Sequence, residues 1–116
     1  MLTNLIGTPY FPRSLEGHIL ILEDIEEHPA RLMRYWRQWE YSGALKGVGA
    51  VVFGRLVYKD PVYRDYHDVF MSFLKQNSSI PIYTSDDVGH IHNNKPFLIG
   101  SDAVLEENQI KFSATL

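Results

Sequence analysis

The chain has 116 residues, 45% of them hydrophobic, which suits one domain with an ordinary core. A formal net charge of −3 gives no reason to expect nucleic acid or an anionic membrane as a partner. The absence of Cys excludes disulfides, thiolate metal ligands and a cysteine nucleophile.

The sequence shows no membrane-spanning or targeting segment. Its apolar runs are far shorter than the roughly 20 residues that a membrane helix needs. The apolar start of the chain is broken at Gly7, too early for a signal peptide. We therefore expect a soluble chain, either cytoplasmic or a fragment that has lost its targeting segment.

A lead-in and a buried strand are predicted first. Residues 7–17 carry two prolines and two glycines, a composition typical of turns. His18–Ile25 follow, with a continuous apolar run at Ile19–Leu22. Continuous rather than alternating apolarity indicates a strand covered on both faces, as in a sheet packed against helices.

A helix is predicted next. Pro29 suits its first turn, and Ser42-Gly43 suits its end. Between them, Leu32, Trp36 and Trp39 recur at spacings of three and four residues and form one apolar face.

The middle of the chain predicts a second strand, a second helix and a third strand. Val48–Phe53 is typical of a buried strand, and Gly54-Arg55 would end it. The helix is predicted over residues 65–76, and the third strand over residues 80–83, before a polar loop at 84–90. The apolar face of this second helix would consist of Val69, Phe70, Phe73 and Leu74.

The tail has a different character. Short apolar stretches at 97–99, 103–105 and 110–112 alternate with turn residues and predict antiparallel hairpins. The element order is therefore β-α-β-α-β followed by a β-rich tail. This order predicts an α/β domain with a mixed sheet, two main helices and a β-hairpin tail, its first strands parallel and joined by right-handed crossovers.

Polar residues gather where the three predicted strands end. Glu23-Asp24 follow the first strand, Arg55 follows the second, and the loop ending in His90 follows the third. In open α/β sheets functional groups collect beyond the carboxyl ends of the strands. A carboxylate and an imidazole could therefore meet there, and a carboxylate that accepts the imidazole N–H prepares the ring to act as a base.

The residues alone leave several alternatives open. Spacing does not choose between Glu23 and Asp24, and a loop His is often only exposed. His90 and His92 would suit a metal, but the spacing places no third ligand, so no metal is expected. Arg55 could bind a substrate carboxylate or close an internal salt bridge.

The remaining histidines are predicted to be structural or solvated. His18 begins a strand, His28 precedes a helix, and His67 would lie on the exposed side of the second helix.

Several segments in a fixed order resemble one family. They are residues 6–12 with 15–17, residues 19–25 with Glu27-His28-Pro29, residues 47–55, Ile80-Pro81-Ile82 and Gly89-His90. Together they resemble the C-terminal domain of the LD-carboxypeptidases, serine peptidases that include murein tetrapeptide carboxypeptidase and the microcin C immunity peptidases.

The resemblance implies a swivelling β/β/α-type domain and a Ser–Glu–His triad. Glu23 would be the orienting carboxylate and His90 the general base. The implied reaction is hydrolysis of the bond between an L-configured centre, typically diaminopimelate, and a terminal D-alanine in cytoplasmic murein recycling, without a cofactor. A microcin C-type immunity peptidase and a non-catalytic binding module with this fold remain alternatives.

The resemblance also implies that part of the enzyme lies elsewhere. In the family the nucleophile serine and the oxyanion hole belong to an N-terminal Rossmann-like domain, which this sequence lacks. Residues 1–17 would then be an interdomain lead-in, and residues 18–116 the C-terminal domain. The expected partners are the N-terminal nucleophile domain and a murein peptide. Apolar surface at Pro9, Tyr10 and Phe11, exposed without that domain, could also pair two copies as a homodimer.

Overall fold

The computed structural model describes residues 2–107 and 109–113. A short 3₁₀ turn at Leu2–Leu5 comes first. The remaining elements are β1 Ile19–Leu22, α1 Pro29–Tyr41, β2 Ala50–Arg55, α2 Val62–Asn77, β3 Ile82–Gly89, β4 Asp102–Glu106 and β5 Gln109–Ser113. The described part of the chain does not include Met1, Asn108 and residues 114–116. The sequence predicts that they belong to the lead-in, the last hairpin turn and the end of the domain, respectively.

Two separate sheets carry the strands. β1, β2 and β3 form a parallel sheet in that order, with β2 in the centre, and β4 pairs with β5 in an antiparallel hairpin. The α/β class, the parallel strands, the two helices and the C-terminal hairpin are thus confirmed. The difference is that antiparallel pairing is confined to the hairpin, so the two strand directions do not share one mixed sheet.

α1 begins and ends as its sequence predicts. The His28 ring accepts a hydrogen bond from the Ala30 backbone N–H at 3.0 Å, so His28 has the structural role of a cap. Pro29 occupies the first turn, where its missing N–H costs nothing. At the other end Gly43 has φ +76°, the left-handed conformation that terminates many helices. The buried face carries Pro29, Leu32, Trp36 and Trp39.

Both helices cover the same face of the parallel sheet. Phe53 of β2 contacts Trp36 of α1 and Phe70 of α2, with ring centroids 6.2 and 5.8 Å apart. Val51, on the same face, and Leu74 of α2 have no exposed surface. The core therefore lies between the sheet and the two helices.

The second helix differs from its prediction at two points. It begins at Val62 rather than at residue 65, and Asp60, which precedes the helix, accepts a hydrogen bond from the Val62 N–H at 3.0 Å. Met71, not Val69, lies on the buried face, and Val69 is 66% exposed.

The predicted loop and tail also need correction. β3 continues through Gly89, so residues 84–89 are strand rather than loop. β2 continues through Arg55, which places Gly54 inside the strand instead of at its end. The stretch at 97–99 forms no strand, and only the last two predicted tail strands pair.

The lead-in packs on the domain. Leu15 is buried in the core, and Phe11 contacts Trp39 edge to face at a centroid distance of 5.6 Å. Trp39 donates its indole N–H to the Thr3 hydroxyl at 2.9 Å. Of the expected apolar surface near residue 10, Tyr10 is 81% exposed, whereas Phe11 is half-buried. Within the described part of the chain, no helix has the length and apolarity needed to cross a membrane.

Candidate functional site

An imidazole and a carboxylate meet at the carboxyl end of the parallel sheet. His90 Nδ1 lies 2.8 Å from Glu23 Oε2, although 67 positions separate the residues in the chain. Glu23 follows β1 and His90 follows β3, so the two side chains bond across the end of the central strand. The structure thus brings together two of the polar groups that strand-end placement predicted to be neighbours.

In the neutral imidazole, the contact with Glu23 selects one ring tautomer. An ionised carboxylate only accepts hydrogen bonds, so the hydrogen between the two groups belongs to His90 Nδ1. Nε2 then carries a lone pair and can accept a proton. About half of the His90 side-chain surface is exposed (53%), against 35% for Glu23. The arrangement can act chemically as an oriented base that is open to an incoming group.

Glu23 and its neighbour Asp24 have different partners. Asp24 Oδ1 accepts from the Ile25 backbone N–H at 2.8 Å, while Glu23 bonds to the imidazole. The loop that holds them is fixed to the segment after β2, because Glu26 N donates to Val57 O at 2.7 Å. The sequence spacing does not choose between Glu23 and Asp24 as the partner of His90. In the structure, the carboxylate that contacts His90 is that of Glu23.

A tight turn holds the backbone on either side of His90. Gly89 N donates to Asn94 Oδ1 at 3.0 Å, and Lys95 N donates to Asp87 O at 2.7 Å. The Lys95 ammonium also lies 2.8 Å from Asp87 Oδ1. These bonds close the segment from Asp87 to Lys95 upon itself and hold the imidazole near β1.

An apolar cavity adjoins the pair. It has a volume of about 420 Å³, and Glu23 and Asp24 line it together with Trp36, Trp39 and Phe53 of the core face. The Glu23 carboxylate therefore lies between the polar end of the sheet and the apolar interior of the domain.

The guanidinium of Arg55 forms no ion pair with Glu23, which bonds to His90 instead. Side chains two apart on a strand share a face, so Arg55 is on the helix face with Phe53. It lines a second cavity of about 420 Å³ with Arg64 and His67 of α2. No carboxylate oxygen lies within 4.0 Å of the guanidinium in residues 2–107 and 109–113, so the predicted alternative of an internal salt bridge is not found there.

The prediction that His67 lies on the exposed side of the second helix is wrong. It is half-buried, and its Nδ1 lies 3.2 Å from the Tyr58 hydroxyl. Burial lowers the pKa of His67, with Asp68 opposing the shift. Burial and the negative charge of Asp24 raise the pKa of Tyr58 to about 12. Both groups are therefore neutral near pH 7, and the sequence carried no signal for their contact.

The alternative of a metal at His90 and His92 gains no support from the geometry. His90 is bonded to Glu23, and residues 2–107 and 109–113 contain no group of three or more His, Asp or Glu side chains that could hold a metal ion. A metal site with only two protein ligands would be incomplete.

Known proteins are similar to this chain in sequence and in fold. Residues 1–105 match the family model described as the LD-carboxypeptidase C-terminal domain. The crystal structure of muramoyltetrapeptide carboxypeptidase from Oxalobacter formigenes superposes with a TM-score of 0.80 at 33% identity, covering 95% of this chain and 40% of that one. A Streptomyces coelicolor protein named "Putative carboxypeptidase" is 39% identical over 59 residues, which are 51% of this chain and 19% of that protein.

These matches agree on a carboxypeptidase family. The chain spans well under two thirds of the length of either relative. The matched model covers most of the chain and is that of one domain of the family. The chain therefore belongs to the LD-carboxypeptidase family and corresponds to its C-terminal domain.

Proposed function

We propose that this chain is the C-terminal part of a serine carboxypeptidase that hydrolyses an L,D-peptide bond of a murein tetrapeptide and releases D-alanine. His90 is the general base, and Glu23 orients it. The observation that carries the proposal is the 2.8 Å contact between His90 Nδ1 and Glu23 Oε2. The Oxalobacter relative, a muramoyltetrapeptide carboxypeptidase, supports the choice of substrate class.

The mechanism needs a serine from the N-terminal domain of the longer protein. His90 Nε2 takes the proton of the serine hydroxyl as the oxygen attacks the carbonyl carbon of the scissile bond. Glu23 stabilises the imidazolium that forms, because its carboxylate already accepts the Nδ1 hydrogen. The imidazolium then protonates the nitrogen of the leaving D-alanine, and water releases the acyl group by the same route with His90 again as the base.

An assay of two proteins tests this function. The purified 116-residue chain is expected to release no D-alanine from a murein tetrapeptide, because the nucleophile and the oxyanion hole are contributed by the other domain. The full-length protein that contains this chain is expected to release D-alanine, measured by amino-acid analysis of the products. Turnover by the isolated chain would contradict the proposal, since the nucleophile would then lie within residues 1–116.

The same assay separates the alternatives. Activity of the full-length protein on a peptidyl-nucleotide of the microcin C type, without activity on the tetrapeptide, would favour the immunity peptidases. Inactivity on both substrates would favour a non-catalytic binding module.

Arg55 is the proposed contact for a carboxylate of the peptide. Its guanidinium lacks a carboxylate partner in the described residues and shares a cavity with Arg64. Arg55 lies on the helix face, but it ends β2 and pairs in register with Gly89, the neighbour of His90. An extended tetrapeptide is about 14 Å long, so it can contact groups away from the scissile bond.

Replacing Arg55 by Ala in the full-length enzyme is expected to raise KM about tenfold while changing kcat little. The contact is remote from the scissile bond and acts on substrate and transition state alike. Lys46→Ala, which removes a cation outside this cavity, is the matched control and should leave both constants unchanged. Unchanged KM in the Arg55→Ala enzyme would remove Arg55 from the substrate site.

A further inference from the structure

The register of the parallel sheet is interrupted beside the Glu23–His90 pair. Phe53 pairs with Thr84, and Arg55, only two positions on, pairs with Gly89. Gly54 alone therefore faces residues 85–88, so β3 bulges out at this point and returns to the sheet one residue before His90. Bulges of this kind redirect a strand and often re-aim a functional side chain.

The bulge crosses β2 where Gly54 leaves room for it. A Cβ built on Gly54 would lie 2.8 Å from Val88 O and 3.0 Å from Glu23 Cβ. The nearer of these atoms is backbone and cannot rotate away. The φ angle of Gly54 is not in the left-handed region, so the position requires glycine for space rather than for backbone conformation.

The atoms that meet at Gly54 belong to the two chain segments that carry the pair. One is the Cβ of Glu23 itself, and the other is the carbonyl of Val88, two residues before His90. Any side chain at position 54 would push these segments apart, and the Glu23–His90 bond joins the same two segments.

We infer that Gly54 is a positioning residue for the Glu23–His90 pair. Because Gly54 has no side chain, the bulge of β3 can pack closely against β2 beside Glu23. This close packing sets the 2.8 Å distance from His90 Nδ1 to Glu23 Oε2. The geometric part of the inference stands without the proposed function. Its consequence for the reaction rate rests on that function.

The chain offers a matched control at Gly49, which immediately precedes β2. A Cβ at Gly49 would lie 3.5 Å from His18 O and 3.6 Å from Gly17 O, which are ordinary contacts. Gly49→Ala therefore makes the same chemical change at the opposite end of the same strand, without pressing on the pair.

The first experiment measures the ring tautomer of His90 by ¹⁵N NMR in the 116-residue chain. In the unaltered chain and in Gly49→Ala the signals should show a hydrogen on Nδ1, held by Glu23. In Gly54→Ala this bond should be lost, and the Nε2–H form that predominates in free histidine should take over. Retention of the Nδ1–H form in a folded Gly54→Ala chain would overturn the inference.

A second variant covers the outcome in which Gly54→Ala does not fold. Glu23→Gly removes the Cβ that a side chain at position 54 would meet on β1. The double variant G54A/E23G keeps the contact with Val88 O and loses the one with Glu23 Cβ, so it is expected to regain part of the folded NMR signal that Gly54→Ala loses. No gain of folded signal over Gly54→Ala would mean that crowding against Glu23 contributes nothing, and the inference would fail.

The kinetic consequence is measured in the full-length enzyme. Gly54→Ala is expected to lower kcat about 100-fold with KM changed less than about twofold, because misplacing a catalytic group by about 1 Å costs that much in rate. Gly49→Ala should leave both constants unchanged. Loss of the Nδ1–H form with an unchanged kcat would support the positioning role of Gly54 and contradict the proposed function, so the two can fail separately.

Discussion

Replacing His90 by Ala in the full-length enzyme is expected to lower kcat by about 10⁴-fold or more, because no other group would take the proton of the nucleophile. KM should change little, since the ring acts on the reacting atoms and not on substrate binding. The measurement is the initial rate of D-alanine release from a murein tetrapeptide under saturating and limiting substrate.

The fold should survive this substitution. The His90 side chain is 53% exposed, and it follows β3 outside the buried core. Changes at such positions usually alter the free energy of unfolding by less than about 0.5 kcal/mol, and loss of the bond to Glu23 adds about 1 kcal/mol at most. Thermal unfolding of the variant therefore shows whether lost activity comes from chemistry or from structure.

His92→Ala is the matched control. His92 is exposed and lies in the same turn, two residues from His90. The proposed mechanism uses the His90 ring, and not the His92 ring, as the general base. The His92→Ala enzyme should therefore keep nearly full activity. If both rings held a catalytic metal, either variant would lose the metal and its activity. A fully active His90→Ala enzyme would exclude His90 as the base.

The sequence was sufficient to predict the parallel core and the meeting of two strand ends. Continuous apolar runs at Ile19–Leu22 and Val51–Phe53 indicate strands buried within a sheet, and parallel neighbours carry their following residues to the same edge. That reasoning brings Glu23 or Asp24 near His90 without any knowledge of side-chain contacts.

The length of β3 could not be predicted in the same way. Residues 84–89 are polar and contain turn formers, which favours a loop. They are strand because β3 pairs with β2 alone among the described strands, so it lies at the edge of the sheet and its polar side chains can face solvent. Local composition cannot distinguish a loop from an edge strand whose partner is distant in the chain.

Gly54 shows the same limit for a single residue. A glycine after an apolar run usually ends a strand, so the sequence predicts that the strand ends at Gly54-Arg55. Its role depends on Val88 and Glu23, which are distant in sequence and meet it only in the fold. The contact of Tyr58 with His67 is also not predicted by the sequence, because it depends on how the segment after β2 packs on α2.

Glu23→Gln should have the second-largest effect, a loss of about 10³- to 10⁴-fold in kcat. The amide has the size of the carboxylate, but it is neutral and cannot stabilise the imidazolium. It can also donate through its NH₂ group, which favours the tautomer with the lone pair on Nδ1 and the hydrogen on Nε2. That tautomer cannot take a proton from the serine. The rate of D-alanine release and the ¹⁵N signals of His90 measure the two consequences.

Asp24→Asn is the neighbouring control. Asp24 accepts from the Ile25 N–H, and the amide oxygen of Asn can accept the same bond, so kcat should change only a few-fold. An equal loss in both variants would mean that the carboxylate pair, rather than Glu23, is required.

The double variant E23Q/H90A shows how Glu23 acts. If the carboxylate works only by orienting His90, the double variant should be no slower than His90→Ala alone, because the single substitution already removes the group that Glu23 holds. Losses that multiply would instead show that Glu23 contacts the substrate or the nucleophile independently. The 2.8 Å bond between the two side chains favours the first result, since it makes Glu23 and His90 one functional unit.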